Sequence, residues 1–277
     1  MPSINTNVAA IKARSSLDKV QRELDSSIVR LSSGKRINRA HDDASGSSIA
    51  GRMESQIRGL SMNIRNARDG QSLVDTQEGA MQEISGILQR MRELAVQSAS
   101  GSVFMNSSDR GYLQTEMTAL VAEITAITAN TKFNDQNVLQ GSTFSFYTDI
   151  DVAGTKISVL AVNMSITAVI GVETTMVTIA SRVIASMSNV VTRLDTGINY
   201  VNQKRASLGA ISNRFDHVID NLTNVLANTE SAKSRVLDAD FAIETTKLTR
   251  STILQQAATS MVAQANSTKN SILALVQ

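Results

Sequence analysis

Apolar residues recur at steps of three and four at both ends of this 277-residue chain. Leu17, Val20, Leu24, Ile28 and Leu31 form one stripe; Leu254, Ala257, Met261, Ala265, Thr268, Ile272 and Leu275 form another. The spacing predicts an amphipathic helix at each end, over 1–32 and 241–277. Isolated helices of this length are marginal in water, so both stripes require partner helices. The two ends are expected to pair with each other and with the same helices of neighbouring molecules. Both therefore read as assembly elements.

Two longer seams lie between them. From Ala44 to Ser98 the positions Ile57, Leu60, Ile64, Ala67, Val74, Met81, Ile84, Leu88, Met91 and Ala95 keep steps of three, four or seven. They predict a single helix roughly 80 Å long at 1.5 Å per residue. Gly51, Gly59, Gly70, Gly79 and Gly86 lie inside it, each costing about 1 kcal/mol relative to alanine. Close helix approach and local pliancy would both account for them, and the pattern leaves both open.

After a break at Gly101–Asp109, a second helix carries Leu113, Met117, Leu120, Ile124 and Ile127; another long one runs from Met176 through Val190, Val201, Phe215 and Leu222 to Val225. Asn130–Gly141 reads as loop. Thr143–Tyr147 and Lys156–Val162, around the polar Asp149–Gly154, read as a β-hairpin. Gly34 is placed to terminate the first helix.

The expected fold is mainly α: long antiparallel helices forming an elongated coiled coil or bundle built from both chain ends, with a small β-hairpin insertion. Segments 1–32 and 241–277 form a terminal coiled coil, 33–43 and 230–240 linkers, 44–142 and 168–229 the long-helix bundle, and 143–167 the hairpin insertion.

Composition narrows the function. Hydrophobic residues make up 42% of the chain but aromatics only 3%, with no Trp, so the apolar content suits helix packing rather than ligand pockets. Net charge is +2, too near balance for a general nucleic-acid binder. The segment Lys12–Arg39 carries eight Lys/Arg against three Asp/Glu; without interleaved aromatics it reads as a solvated helix face. The absence of cysteine excludes disulfides, thiolate metal sites and Cys nucleophiles. No signal-peptide h-region or membrane-spanning run is visible, so an extracellular destination would require export without a cleaved signal.

Catalytic chemistry is sparse. His41 and His217 are distant in sequence, and no second ligand near His41 has metal spacing. Asp42–Asp43 and Asp238/Asp240 are expected as caps or salt-bridge partners. Recognised nucleotide, hydrolase and zinc motifs are absent. An enzyme, a cofactor and a metal site are not expected.

Several segments resemble bacterial flagellin: Ile4-Asn5-Thr6-Asn7; Leu31–Asn38 followed by Asp42-Asp43-Ala44; Gln89–Gln97; Thr131-Lys132-Phe133-Asn134; Ser207-Leu208-Gly209-Ala210; Asp238–Ala242; and Gln264-Ala265-Asn266. They fall in family order over roughly 1–142 and 175–277. The resemblance implies a filament subunit, exported unfolded through the flagellar secretion apparatus with an export chaperone, and polymerised with itself beneath a filament cap next to junction proteins. Its place would be the extracellular flagellum, without membrane insertion. The terminal helices, with Leu17, Val20, Leu24, Ile28, Leu31, Leu254, Ala257, Met261, Ala265, Ile272 and Leu275, would carry polymerisation and order on assembly. The chain departs from many flagellins in its short middle, which leaves little outer domain.

The resemblance also implies contact with the host flagellin-sensing Toll-like receptor through Gln89, Arg90, Leu94 and Glu116, with Leu94 as an apolar plug beside the Arg90 fork. Filament packing alone would equally account for these residues. The alternatives are a hook–filament junction protein, which would not form long filaments by itself, and an intracellular coiled-coil scaffold, which would form a discrete oligomer.

Overall fold

The computed structural model describes residues 6–99, 106–148, 156–159, 162–171, 179 and 184–274. The elements are α1 (Val8–Ser33), α2 (Ala44–Ala99), α3 (Ser107–Asn130), β1 (Lys132–Phe133), β2 (Gln136–Asn137), β3 (Phe144–Tyr147), β4 (Lys156–Val159), α4 (Ile166–Ile170), α5 (Ile184–Leu237) and α6 (Phe241–Ala274). The mainly α class with long packed helices matches the expectation. The chain divides into two compact units, one of Met1–Ile57 with Ala227–Gln277 and one of Arg58–Leu226.

In the Arg58–Leu226 unit, α2 and α5 run antiparallel, as their cross-links show. Gln71 donates to Asp216 at 2.8 Å, Arg205 to Glu78 at 3.3 Å and Arg92 to Asp195 at 2.6 Å. The α2 seam predicted from sequence is the core: Ala67, Val74, Met81, Ile84, Leu88, Met91 and Ala95 all show 0% exposure. Met117 and Ile124 of α3, with Leu194, Val201, Leu208 and Phe215 of α5, close around it. Two of the buried polar side chains are tied to backbone: Gln77 donates to the Val138 carbonyl at 2.7 Å, and Ser98 to that of Ile179 at 2.8 Å. Met176 and Val183 lie outside the described residues.

The hairpin expected at Thr143–Val162 is present as β3 and β4, paired antiparallel from Phe144↔Val159 to Tyr147↔Lys156. Phe146 of β3 meets Phe215 of α5 edge-to-face, with centroids 5.9 Å apart. Gly70 makes the room: a Cβ there would lie 2.6 Å from the Phe215 ring. Close approach thus explains Gly70, whereas Gly51, Gly79 and Gly86 face open space.

Two local features differ from the pattern. The stretch Asn130–Gly141, read as loop, contains the β1–β2 hairpin, whose two-residue turn puts Asn134 and Asp135 at φ 48° and 62°. Both positive values fit a tight reverse turn that matches strand twist, and short polar side chains tolerate them. Asn137 then donates to the carbonyls of Thr128 and Ala129, capping the end of α3. Residues 230–237, expected as linker, continue α5 instead. The run Glu230–Leu237 is polar but contains no Gly or Pro, and polarity without a breaker does not end a helix.

In the other unit, the segment after α1 pairs with the end of α5. Gly34 stops α1 in a left-handed conformation at φ 68°, Arg36 N–H donates to the Leu237 carbonyl at 2.6 Å, and Ala239 N–H donates to the Gly34 carbonyl at 3.0 Å. Lys233 and Glu54 add an ion pair between α5 and α2.

Replacing Gly70 by Ala should cost about 2 kcal/mol, because the new Cβ would lie 2.6 Å from the fully buried Phe215 ring. Gly79→Ala and Gly86→Ala should each gain about 1 kcal/mol from lost unfolded-chain freedom. Urea unfolding of the three variants reads both signs; equal effects at all three positions would contradict the close-approach reading.

Candidate assembly surface

α1 and α6 form an antiparallel pair inside the Met1–Ile57/Ala227–Gln277 unit. Asn7 donates to the Ala265 carbonyl at 3.0 Å, Gln255 to Gln21 at 2.5 Å and Ser27 to Glu244 at 3.3 Å. Asn7 also caps α1 by accepting from Ala10 N–H. The facing positions on α1 are Ala10, Ala13, Leu17, Val20, Leu24, Ser27 and Leu31. Those on α6 are Glu244, Leu248, Ser251, Gln255, Ala258, Val262 and Ala265. Both sets step by three and four, and the many small residues let the backbones approach within 8 Å.

The apolar members of this seam are all half-buried; the fully buried positions are Ser27, Glu244 and Ser251, each 4% exposed. Glu244 takes hydrogen bonds from Ser27, from Arg30 at 3.3 Å and from Lys247 at 2.8 Å. Burial pushes its carboxyl pKa up, but the Lys247 and Arg30 cations outweigh that and hold it below its ordinary 4.5.

The predicted α1 residues Leu17, Val20, Leu24 and Leu31 lie on the seam, while Ile28 points away from it and is 48% exposed. On α6 the structure corrects the register. Ala265 belongs to the seam, but Leu254, Ala257 and Met261 each sit one residue before a seam position. One residue is about 100° around a helix, so these three face outward, with Leu254 44% and Met261 62% exposed. Ile243 shares their face and Ile253 flanks it, at 54% and 60% exposure. The side chain of Ile272 and all of Leu275 lie outside the described residues. Sequence periodicity missed the inner set because polar Glu244, Ser251 and Gln255 occupy three of its positions.

On α2, Gln89 and Arg90 are exposed. Arg90 forms ion pairs with Glu116 of α3 at 2.8 Å and with Glu93 at 3.0 Å. Glu116 and Glu93 keep the guanidinium firmly protonated. Leu94 was expected to project as a plug; it is instead 0% exposed within the helix core. Its position four residues after Arg90 is turned inward with Met91 and Ala95, so it has no face to offer a partner.

The remaining titratable candidates serve structure. Asp42 accepts from the Arg39 and Asn38 N–H groups and Asp43 from Gly46 N–H; these bonds lower both carboxyl pKa values. Asp240 caps α6 through Ala242 and Ile243 N–H. Among the described residues no group of three metal-ligating side chains occurs, and no helix is long and apolar enough to cross a membrane.

Because the folded-state pKa of Glu244 is lowered, its stabilisation is complete above the unfolded value near 4.5 and is lost as pH falls through the folded value. Glu244→Gln should cost about 1–3 kcal/mol at neutral pH and make the acid loss of stability shallower than in the wild type. Urea melts at pH 7 and at successively lower pH measure both; an unchanged acid slope would contradict the assignment.

Comparison with known proteins agrees with this architecture. The bacterial flagellin N-terminal helical region matches residues 4–143, and the bacterial flagellin C-terminal helical region matches 191–276. Flagellin from Halalkalibacterium halodurans is 36% identical over 284 aligned positions, and the 31.3 kDa flagellar filament core protein of Treponema maltophilum is 36% identical over 286. Flagellin A of Vibrio cholerae is 33% identical over 379. Each alignment covers 99% of both chains, so the longer Vibrio alignment reflects a longer protein around the same ends. The crystal structure of Bacillus cereus flagellin is similar at a TM-score of 0.50 and 31% identity, covering 57% of this chain and 88% of that one. A flagellar hook-associated protein from Vibrio parahaemolyticus shares the fold at a TM-score of 0.61 with 12% identity, over 71% of this chain and 100% of that one. With both helical regions matched and relatives aligned from end to end, this chain belongs to the bacterial flagellin family.

Proposed function

We propose that this filament subunit polymerises through the outward stripe of α6, Ile243, Leu254, Ala257 and Met261, together with the exposed Ile11 and Ile28 of α1. The observation that carries this is the exposure of large apolar side chains on helices whose inner seam is already used. Apolar area left in water returns roughly 25 cal/mol per Å² when a second copy covers it. A contact between unlike surfaces that does not close into a ring propagates as a filament. The α1–α6 pair, buried chiefly at polar positions, gains order when a neighbour covers its outside.

The finer partners follow from the same role. Export through the flagellar secretion apparatus with a chaperone, addition beneath a cap, and abutment on junction proteins suit a cysteine-free chain whose ends complete themselves only on assembly. The extracellular filament is the corresponding location. The linker segment 33–43 and residues 238–240 would connect the terminal helices to the long ones.

The exposed Arg90–Glu93–Glu116 lattice supports a second role for the same subunit, contact with the host flagellin-sensing Toll-like receptor. In that role Gln89, Arg90 and Glu116 offer the polar contacts without Leu94.

A Leu254→Ser/Met261→Ser variant should keep its helix content and monomer stability, because both side chains are solvent-facing, yet elongate sheared filament seeds about tenfold more slowly or not at all. Electron microscopy with a sedimentation assay measures this, and wild-type elongation would overturn the proposed surface. Arg90→Ala should weaken receptor binding by about tenfold while leaving filaments intact; unchanged binding would remove the receptor role.

A further inference from the structure

The chain holds eleven methionines and no cysteine, so thioethers are its oxidisable sulfur. Packing divides the described ones sharply. Met81, Met91, Met117 and Met164 show 0% exposure in the Arg58–Leu226 core, where the surrounding elements exclude solvent. Met53 is half-buried. Met62 on α2 and Met261 on α6 project into water, at 48% and 62% exposure. Met261 is the most accessible thioether among the described residues.

Its place on α6 gives that accessibility a consequence. Met261 lies seven residues after Leu254 and four after Ala257, so the three share the outward stripe. Ala257 adds only a methyl group, and the next places on that face, Gln264 and Thr268, are polar. Leu254 and Met261 therefore supply most of the apolar area in this half of the stripe. An unbranched thioether suits such a contact, because it is apolar and adapts to the partner's shape. Oxidation removes the advantage by turning the sulfur into a polar, chiral sulfoxide. Accessibility demands no order in the free subunit: a helix that settles only on assembly leaves this sulfur at least as open beforehand.

We propose that Met261 is an oxidative modification site through which peroxide-class oxidants stop subunit addition and leave the grown filament intact. The inference rests on the outward stripe of α6 being the polymerisation surface. Hydrogen peroxide gives one oxygen atom to the sulfur: its O–O bond breaks and an S–O bond forms. The sulfur is oxidised by two electrons, the peroxide is reduced, and its second oxygen leaves with both protons as water. In the free subunit the sulfur is open to this reaction. Once a neighbour covers the stripe, it is shielded as the core methionines are. Reduction of the sulfoxide regenerates the thioether and with it the contact.

Free full-length subunits treated with hydrogen peroxide, cleared of oxidant and added to untreated sheared seeds test this. Peptide mass spectrometry reads each methionine, and each protein's elongation rate is compared with its own untreated rate. Wild type and Met62→Leu should both slow about tenfold as Met261 gains one oxygen. Met261→Leu should slow less than about twofold, although its other methionines remain. Methionine sulfoxide reductases acting on both epimers should restore the wild-type rate. In filaments, Met261 should oxidise at least about tenfold more slowly than in free subunits. Equal slowing of Met261→Leu, or no recovery with the reductases, would overturn the site. Equal oxidation in filaments and free subunits would overturn the stripe and the switch together. A shielded Met261 whose oxidation leaves elongation unchanged sinks the switch alone.

Discussion

Leu17, Val20, Leu24 and Leu31 of α1 face Leu248 and Val262 of α6, and each keeps part of its surface in water, while Ser27, Glu244 and Ser251 take the buried places between them. Antiparallel pairing of α1 with α6 therefore rests on a thin apolar contact pinned by one buried carboxylate. A carboxylate at 4% exposure is tolerable only with compensation, and here Arg30, Lys247 and Ser27 converge on it. Such a pair holds register well and stability poorly, since polar contacts specify geometry but contribute modest net energy. The outward stripe on α6 makes sense in this light. The helices that most need further burial are the ones that present uncovered apolar side chains.

The Arg58–Leu226 unit follows the opposite principle. Its core is continuous from Ala67 to Phe215 and mainly apolar, with Gln77 and Ser98 bonded to backbone carbonyls. Methionines at 81, 91, 117 and 164 are fully enclosed and fill irregular space among three helices. One protein thus holds a unit with a continuous apolar core and a second unit whose helix pair is joined chiefly at polar positions.

Much of this was legible in the sequence. The α2 seam predicted from steps of three, four and seven is the buried face, and Gly34 ends α1 as its position suggested. The hairpin at β3–β4 followed from alternating aromatic and β-branched residues. Three things were not legible, each for a physical reason. The α6 seam was misread by one residue because the helix bears two offset stripes, and the more apolar one faces out. The buried role of Glu244 depends on Arg30, 214 positions away, which no local pattern signals. Leu94 resembled an exposed contact by motif, whereas its register with Met91 and Ala95 already placed it in the core. The Asn134–Asp135 turn did leave a signal, two turn-forming residues between Phe133 and Gln136.

The way β3 and β4 are fastened separates the middle of the chain from the rest. The ladder from Phe144↔Val159 to Tyr147↔Lys156, with Phe146 locked against Phe215 in the space Gly70 provides, fixes both strands where they leave the helices. Any segment joining Tyr147 to Lys156 closes between strand ends that are already paired. Closure cost rises only logarithmically with length, so a segment ten times longer would add about 2 kcal/mol to it. The hairpin is accordingly a socket: whole domains can be gained or shed there while the helices beneath keep their register, and a lineage can reshape what its filament displays without redesigning how the filament is built.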